Sequence, residues 1–170
     1  EIRLHNLSLE QTQSMLESLL GTREIPAELK RFVQDRVEGN PFFIEELINS
    51  LIESNVLVAN GRGWQLSRRI GEGDISSNIH GLISARLDRL DNDSKRVLQE
   101  ASIIGRSFFY DILRRISALP DIERQLAALE QLGLIRLKTR NPYQEYDFKH
   151  ALTREVVYDS ILPDRKKKLH

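Results

Sequence analysis

The 170-residue sequence contains no cysteine. Disulfides, thiolate nucleophiles and sulfur-ligated zinc are excluded at once. Histidine is scarce: His5, His80, His150 and His170 never fall at the spacing of a His-x-x-x-His helical zinc site, so no metal is expected. Long apolar runs are also missing, with four residues, as at Val56–Ala59, about the longest. Neither a membrane span nor a signal peptide can be built from runs that short, and a cytoplasmic protein is expected. Net charge is absent too, at a formal +0. Residues 1–85 hold 8 basic and 12 acidic side chains, a balance of −4, and residues 86–170 hold 17 and 13, a balance of +4. A chain built mainly to grip duplex phosphates would be more basic. The basic run Arg165–Lys168 near the end reads as a solvated helix face.

Catalytic motifs are absent as well. No phosphate loop of the form G-x-x-x-x-G-K-[ST] exists; Gly61-Arg62-Gly63 and Gly71-Glu72-Gly73 are too short and lack the Lys-Ser or Lys-Thr that must follow. There is no Gly-x-Ser-x-Gly elbow. The carboxylate pair Glu45-Glu46 has no histidine beside it and is expected to be solvated. As it stands, the chain reads as a non-enzyme.

What is present is helical periodicity with clear punctuation. Ser8 and Gln11 form a possible capping box before the stripe Met15, Leu16, Leu19, Leu20, and Gly21 stops that helix. Pro26 suits a first helical position before Leu29, Phe32, Val33 and Val37. Gly39 ends the second helix, and Asn40 and Pro41 start a third as N-cap and first-turn residue; it buries Phe43, Leu47, Ile48 and Leu51. Val56-Leu57-Val58 and Trp64-Gln65-Leu66 around Asn60-Gly61 predict a β-hairpin. Residues 67–78 are rich in glycine and serine and predict a linker.

Helical stripes return at Ile79–Leu90, Val97–Ile104, Ile112–Ile116 and Ile122–Leu132, the last stopped by Gly133. Leu134–Lys138 alternates as a half-buried strand, a turn at Asn141-Pro142 follows, and a second strand is expected near Glu145–Phe148. A last helix is predicted over Ala151–Leu162. Three helices followed by a two-stranded ribbon is the order of a winged helix.

Taken alone, Gly39-Asn40-Pro41-Phe42-Phe43-Ile44-Glu45-Glu46-Leu47 is helix punctuation. It also resembles the glycine-x-proline motif in the helical lid of AAA+-type signalling ATPases, the STAND group. Residues 79–105 resemble the entry to the winged-helix domain of that group, and Phe148–Tyr158 its closing motif. The variant matched is the large bacterial ATPase module found beside class III nucleotide cyclases, protein kinases or LuxR-type transcriptional regulators. The resemblance implies a mainly α chain with four parts: a helical lid with a small hairpin over 1–66, a linker over 67–78, a winged-helix domain with a two-stranded wing over 79–150, and the start of a helical-repeat region over 151–170.

By this resemblance the cofactor is ADP or ATP. The nucleotide-binding residues it implies are Gly39, Asn40, Pro41 and His150: Pro41 would touch the adenine, Gly39 would let the backbone come close, and His150 would reach the β-phosphate of ADP in a closed state. An imidazole beside a diphosphate can donate a hydrogen bond or a charge. Phe148 reads as core, His5, His80 and His170 as surface or packing residues, and Arg86 and Arg89 as solvated arginines. The nucleotide-binding core, with its phosphate loop and magnesium aspartate, has no counterpart here. The resemblance therefore implies a fragment whose partners are an upstream core, downstream repeats and an effector domain, with no tight nucleotide binding by the fragment alone. No membrane or nucleic-acid partner is expected. Two alternatives stand beside this switch: a DNA-binding winged helix and a protein-interaction module. Against DNA, the helix near 121–133 carries Asp121, Glu123 and Glu130 with Arg124 alone, a balance of −2; the wing, with Arg136, Lys138, Arg140 and Lys149 against Glu145 and Asp147, is more basic.

Overall fold

A computed structural model describes residues 6–37, 39–71 and 78–163. The chain is mainly α, with two small antiparallel sheets, and divides into two compact units between Leu82 and Ile83.

The first unit holds α1 (Leu9–Leu20), α2 (Ala27–Arg36), α3 (Pro41–Glu53), β1 (Leu57–Ala59) and β2 (Trp64–Leu66). The capping box of α1 is complete: the Ser8 hydroxyl accepts from the Gln11 amide, and the Gln11 side chain accepts from the Ser8 amide. Two orphan donors at the helix start are thereby satisfied. Pro26 stands at the N-cap of α2 rather than inside it. The helices meet through one core that includes Leu16, Leu29, Val33, Ile44, Leu47 and Leu51. Each such side chain contributes about 1.5–3 kcal/mol on burial. Between α3 and β1, Asn55 takes a positive φ of 56°, a conformation its short polar side chain tolerates.

The hairpin forms as expected, pairing Leu57 with Leu66 and Ala59 with Trp64. Its turn is held by Asn60 Oδ1, which accepts from the amides of Arg62 (3.1 Å) and Gly63 (2.9 Å). Trp64 and Leu66 pack on the helical core, and Trp64 Nε1 donates to the Leu20 carbonyl at 2.8 Å. That bond satisfies one of the carbonyls that a helix end leaves open.

The expected linker spans residues 67–78, and the two units part at Leu82 and Ile83. Residues 72–77 lie outside the described residues, and Ser67 still bonds to the first unit, its amide reaching the Val56 carbonyl at 2.9 Å. The first four residues of α4 (Ile79–Asp88) belong to the first unit, where Leu82 joins the core.

The second unit continues with α5 (Asn92–Ile104), β3 (Ser107–Phe109), α6 (Tyr110–Ile116), α7 (Ile122–Gln131), β4 (Ile135–Thr139), β5 (Glu145–Phe148) and α8 (Ala151–Asp159). Its sheet has three strands in the order β3-β5-β4. The two-stranded ribbon expected from the sequence is the β4–β5 part; β3 is an addition to it. Phe108 of β3 pairs with Tyr146 and stacks on it, and meets the Phe148 ring edge-on. Phe108 and Phe148 are fully buried, as are Val97, Leu113, Ile122 and Leu129. Helix α8 ends at Asp159, short of Leu162.

Candidate functional site

Gly39, Asn40 and Pro41 come together at the start of α3. Asn40 is the N-cap, its Oδ1 accepting from the amides of Phe42 (3.0 Å) and Phe43 (3.4 Å), and Pro41 is the first helical residue. Both are exposed, while Ile44, Leu47, Ile48 and Leu51 sink the helix into the core. The result is a proline ring held open to solvent on a rigid, capped helix. The amides of the first turn are already engaged by Asn40.

Gly39 differs from its neighbours in being buried, with φ +74°. Its carbonyl accepts from the Leu7 amide at 2.7 Å. A Cβ at this position would overlap the Leu7 carbonyl oxygen, lie 2.8 Å from the Leu7 nitrogen and 3.2 Å from Asn6 Cβ. Glycine is therefore required twice over, by backbone conformation and by close approach, and the chain that approaches is the protein's own.

His150 stands in the second unit, at the N-cap of α8, immediately after β5. It is half-buried, with Nε2 shielded from solvent. Its side chain makes no capping bond to α8, so simple helix capping does not account for it. Around it the backbone is tied down. The Lys149 amide donates to the Leu134 carbonyl at 3.1 Å, and Arg154 Nε donates to the Ser102 carbonyl at 2.9 Å. The Arg154 guanidinium lies 5.3 Å from the Tyr158 ring centroid, within cation–π range. Phe148 is core, as expected, and His80 is exposed; His5 and His170 lie outside the described residues, as does the basic run after Asp164.

Two readings of charged residues are corrected. Glu46, expected to be solvated with Glu45, is 1% exposed. Helix α3 is apolar around most of its circumference, so Glu46 and Ser50, one turn apart, form a second buried face. Arg86, expected in solvent, is also 1% exposed, and its Nη2 donates to the Leu132 carbonyl at 2.6 Å. The signal lies in the periodicity: position 86 continues the stripe of Leu82 and Ile83. Glu100, which carries no motif in the sequence, is buried on α5 with Oε1 accepting from Arg96 Nε at 2.9 Å.

The wing is less cationic than its composition suggests. Arg136 is bonded to Asp147 and Lys138 Nζ donates to Glu145 at 2.8 Å. On the neighbouring helices the Tyr110 hydroxyl donates to Glu123, which Arg114 also approaches at 3.5 Å. That hydroxyl holds the Glu123 carboxyl below its usual range and is itself pushed up by the carboxylate. Burial raises Tyr146. Among the described residues, no group of three or more histidine, aspartate or glutamate side chains could hold a metal, and no helix is long and apolar enough to cross a membrane.

One apolar surface feature stands out in the second unit. Phe109 (42% exposed), Ile112 (44%) and Tyr143 (63%) border, with Asp111 and Arg115, an open depression of about 360 Å³.

Comparison with known proteins places these features as follows. The family described as "Domain of unknown function (DUF8739)" matches residues 8–63, from the α1 cap to the hairpin turn. "Hybrid signal transduction histidine kinase G" of Dictyostelium discoideum is 26% identical over 124 residues, which is 70% of this chain. The chain spans about 4% of the length of that relative.

Proposed function

We propose that the chain is the lid and winged-helix part of an ATP/ADP-dependent signalling switch. The observation that carries this reading is the exposed Pro41 ring at the capped, core-anchored start of α3. In this reading it meets an adenine rather than a phosphate, since Asn40 already occupies the first-turn amides. The phosphates and magnesium need a phosphate loop, which this sequence lacks, so they fall to another part of the protein, and hydrolysis with them. The order α5-β3-α6-α7-β4-β5 supports reading the second unit as a winged helix, with His150 directly after its last strand. There it would contact the β-phosphate of ADP in the closed state alone. Exchange of ADP for ATP then removes one stabilising contact and shifts the population toward an open form that frees an effector. A relative named for signal transduction fits that role. The reading places the protein in the cytoplasm.

The test uses the full-length protein that carries these residues. It is purified and denatured, and released nucleotide is quantified by chromatography for wild type, Pro41→Ala and His150→Ala. The expected result is abundant ADP in wild type and much less in both variants. Equal ADP in all three removes Pro41 and His150 from the site. No ADP in wild type overturns the switch. It would favour a protein-interaction module, the reading supported by the exposed Phe109, Ile112 and Tyr143.

A further inference from the structure

Leu7 enters the first unit half-buried, its side chain packed against the helical core and its amide donating to the Gly39 carbonyl at 2.7 Å. One residue later Ser8 caps α1; one residue after Gly39, Asn40 caps α3. The starts of both helices are therefore locked to one backbone contact, and Pro41 lies two residues from it. The contact exists only because position 39 has no Cβ: one placed there would overlap the Leu7 carbonyl oxygen and crowd Asn6 Cβ. Backbone atoms cannot swing aside as a flexible side chain can.

We propose that Gly39 is a positioning residue: it clasps the incoming segment Asn6–Leu7 and thereby fixes Pro41 for contact with an adenine base. This rests on the nucleotide reading above and changes the role of the glycine within it. Its closeness serves the chain's own backbone, and the base is met by Pro41. A displacement of the chain entering at Asn6 is then transmitted to Pro41 through a single hydrogen bond.

The experiment strips bound nucleotide from the full-length protein and then measures ADP and inorganic pyrophosphate binding by calorimetry, for wild type, Gly39→Ala, Leu7→Pro and the double variant. Leu7→Pro deletes the donated N–H and sets the ring's Cδ against the Gly39 carbonyl, opening the clasp from its other side while position 39 stays glycine. ADP should weaken about tenfold in each single variant, and the double variant should lose little more, because both changes open the same clasp. Pyrophosphate, which has no base, should bind as in wild type, a result that general misfolding would not give. Equal loss of ADP and pyrophosphate overturns the proposal, since the defect is then structural. Loss in Gly39→Ala with none in Leu7→Pro also overturns it, because the glycine then faces the nucleotide itself. Unchanged ADP binding in both variants rejects the clasp and leaves the nucleotide reading standing. A wild type that binds no ADP rejects both, and does so before any variant is made.

Discussion

Arg136 and Asp147 face each other across the β4–β5 ribbon and share two hydrogen bonds, Nε to Oδ1 at 2.8 Å and Nη2 to Oδ2 at 3.0 Å. This is the bidentate geometry that favours arginine over lysine. The pair is asymmetric: the Asp147 side chain is 9% exposed and that of Arg136 61%. The carboxylate is desolvated and depends on its partner, whereas the guanidinium, held above its ordinary pKa by Asp147, keeps access to water.

That asymmetry predicts the outcome of a mutant cycle. Arg136→Ala strands a shielded carboxylate, which is costlier than removing both partners. The urea midpoint should fall for Arg136→Ala, and the double variant Arg136→Ala/Asp147→Ala should be more stable than the sum of the single losses. Strict additivity in equilibrium unfolding would mean that the bond contributes nothing to folding.

The same pairing bears on duplex binding. Arg136 and Lys138 of the wing are engaged by carboxylates, and α7 presents Glu123 and Glu130. A phosphate would have to displace Asp147 or Glu145 to reach Arg136 or Lys138. Fluorescence anisotropy with a labelled duplex should therefore give only non-specific affinity, weaker than about 10⁻⁶ M at physiological salt, falling steeply as salt rises. Tight, sequence-selective binding would restore the DNA-binding reading.

Helix α5 provides a pH-dependent prediction. Asp91 is its N-cap, Oδ1 accepting from the amides of Asp93 (3.1 Å) and Ser94 (2.9 Å). The Ser94 amide is the main cause of its pKa lying below the ordinary 3.8. In the unfolded chain the carboxyl binds its proton more readily, so the cap's contribution is fully present above about 3.8 and lost as pH falls through the folded value. Asp91→Ala should cost about 1 kcal/mol at neutral pH, and the gap to wild type should narrow below about pH 4. Asp91→Asn caps without titrating and should stay level across that range. Thermal melts at stepped pH read both.

Local punctuation is legible in the amino-acid sequence alone. The Ser8–Gln11 box, the Asn40-Pro41 start, the Asn60-Gly61 hairpin and the stop at Gly133 all depend on residues within a few positions of one another. What the sequence conceals is set by distant partners. Strand β3 has three residues and no turn before α6, and it exists because Phe108 pairs with Tyr146 far along the chain. The burial of Glu46 is likewise tertiary. At the candidate site, the capping roles of Asn40 and Pro41 follow from local chemistry. The role of Gly39 does not, since its partner Leu7 lies 32 positions earlier.

Arg86 offers the sharpest stability test in the second unit. It is 1% exposed, and its Nη2 donates at 2.6 Å to the carbonyl of Leu132, the C-cap of α7. Helix C-termini leave carbonyls unsatisfied and carry partial negative charge, so a cation there is doubly favourable. Arg86→Ala removes the bond, the charge and the packed aliphatic stem together, and should cost about 2–5 kcal/mol. Arg86→Met keeps much of the stem's volume and leaves the Leu132 carbonyl to be satisfied otherwise, which alone costs about 1–3 kcal/mol. Urea titrations followed by far-ultraviolet ellipticity should rank wild type above Arg86→Met and Arg86→Met above Arg86→Ala. If methionine were as damaging as alanine, the polar bonds of the buried guanidinium would dominate over the packing of the stem.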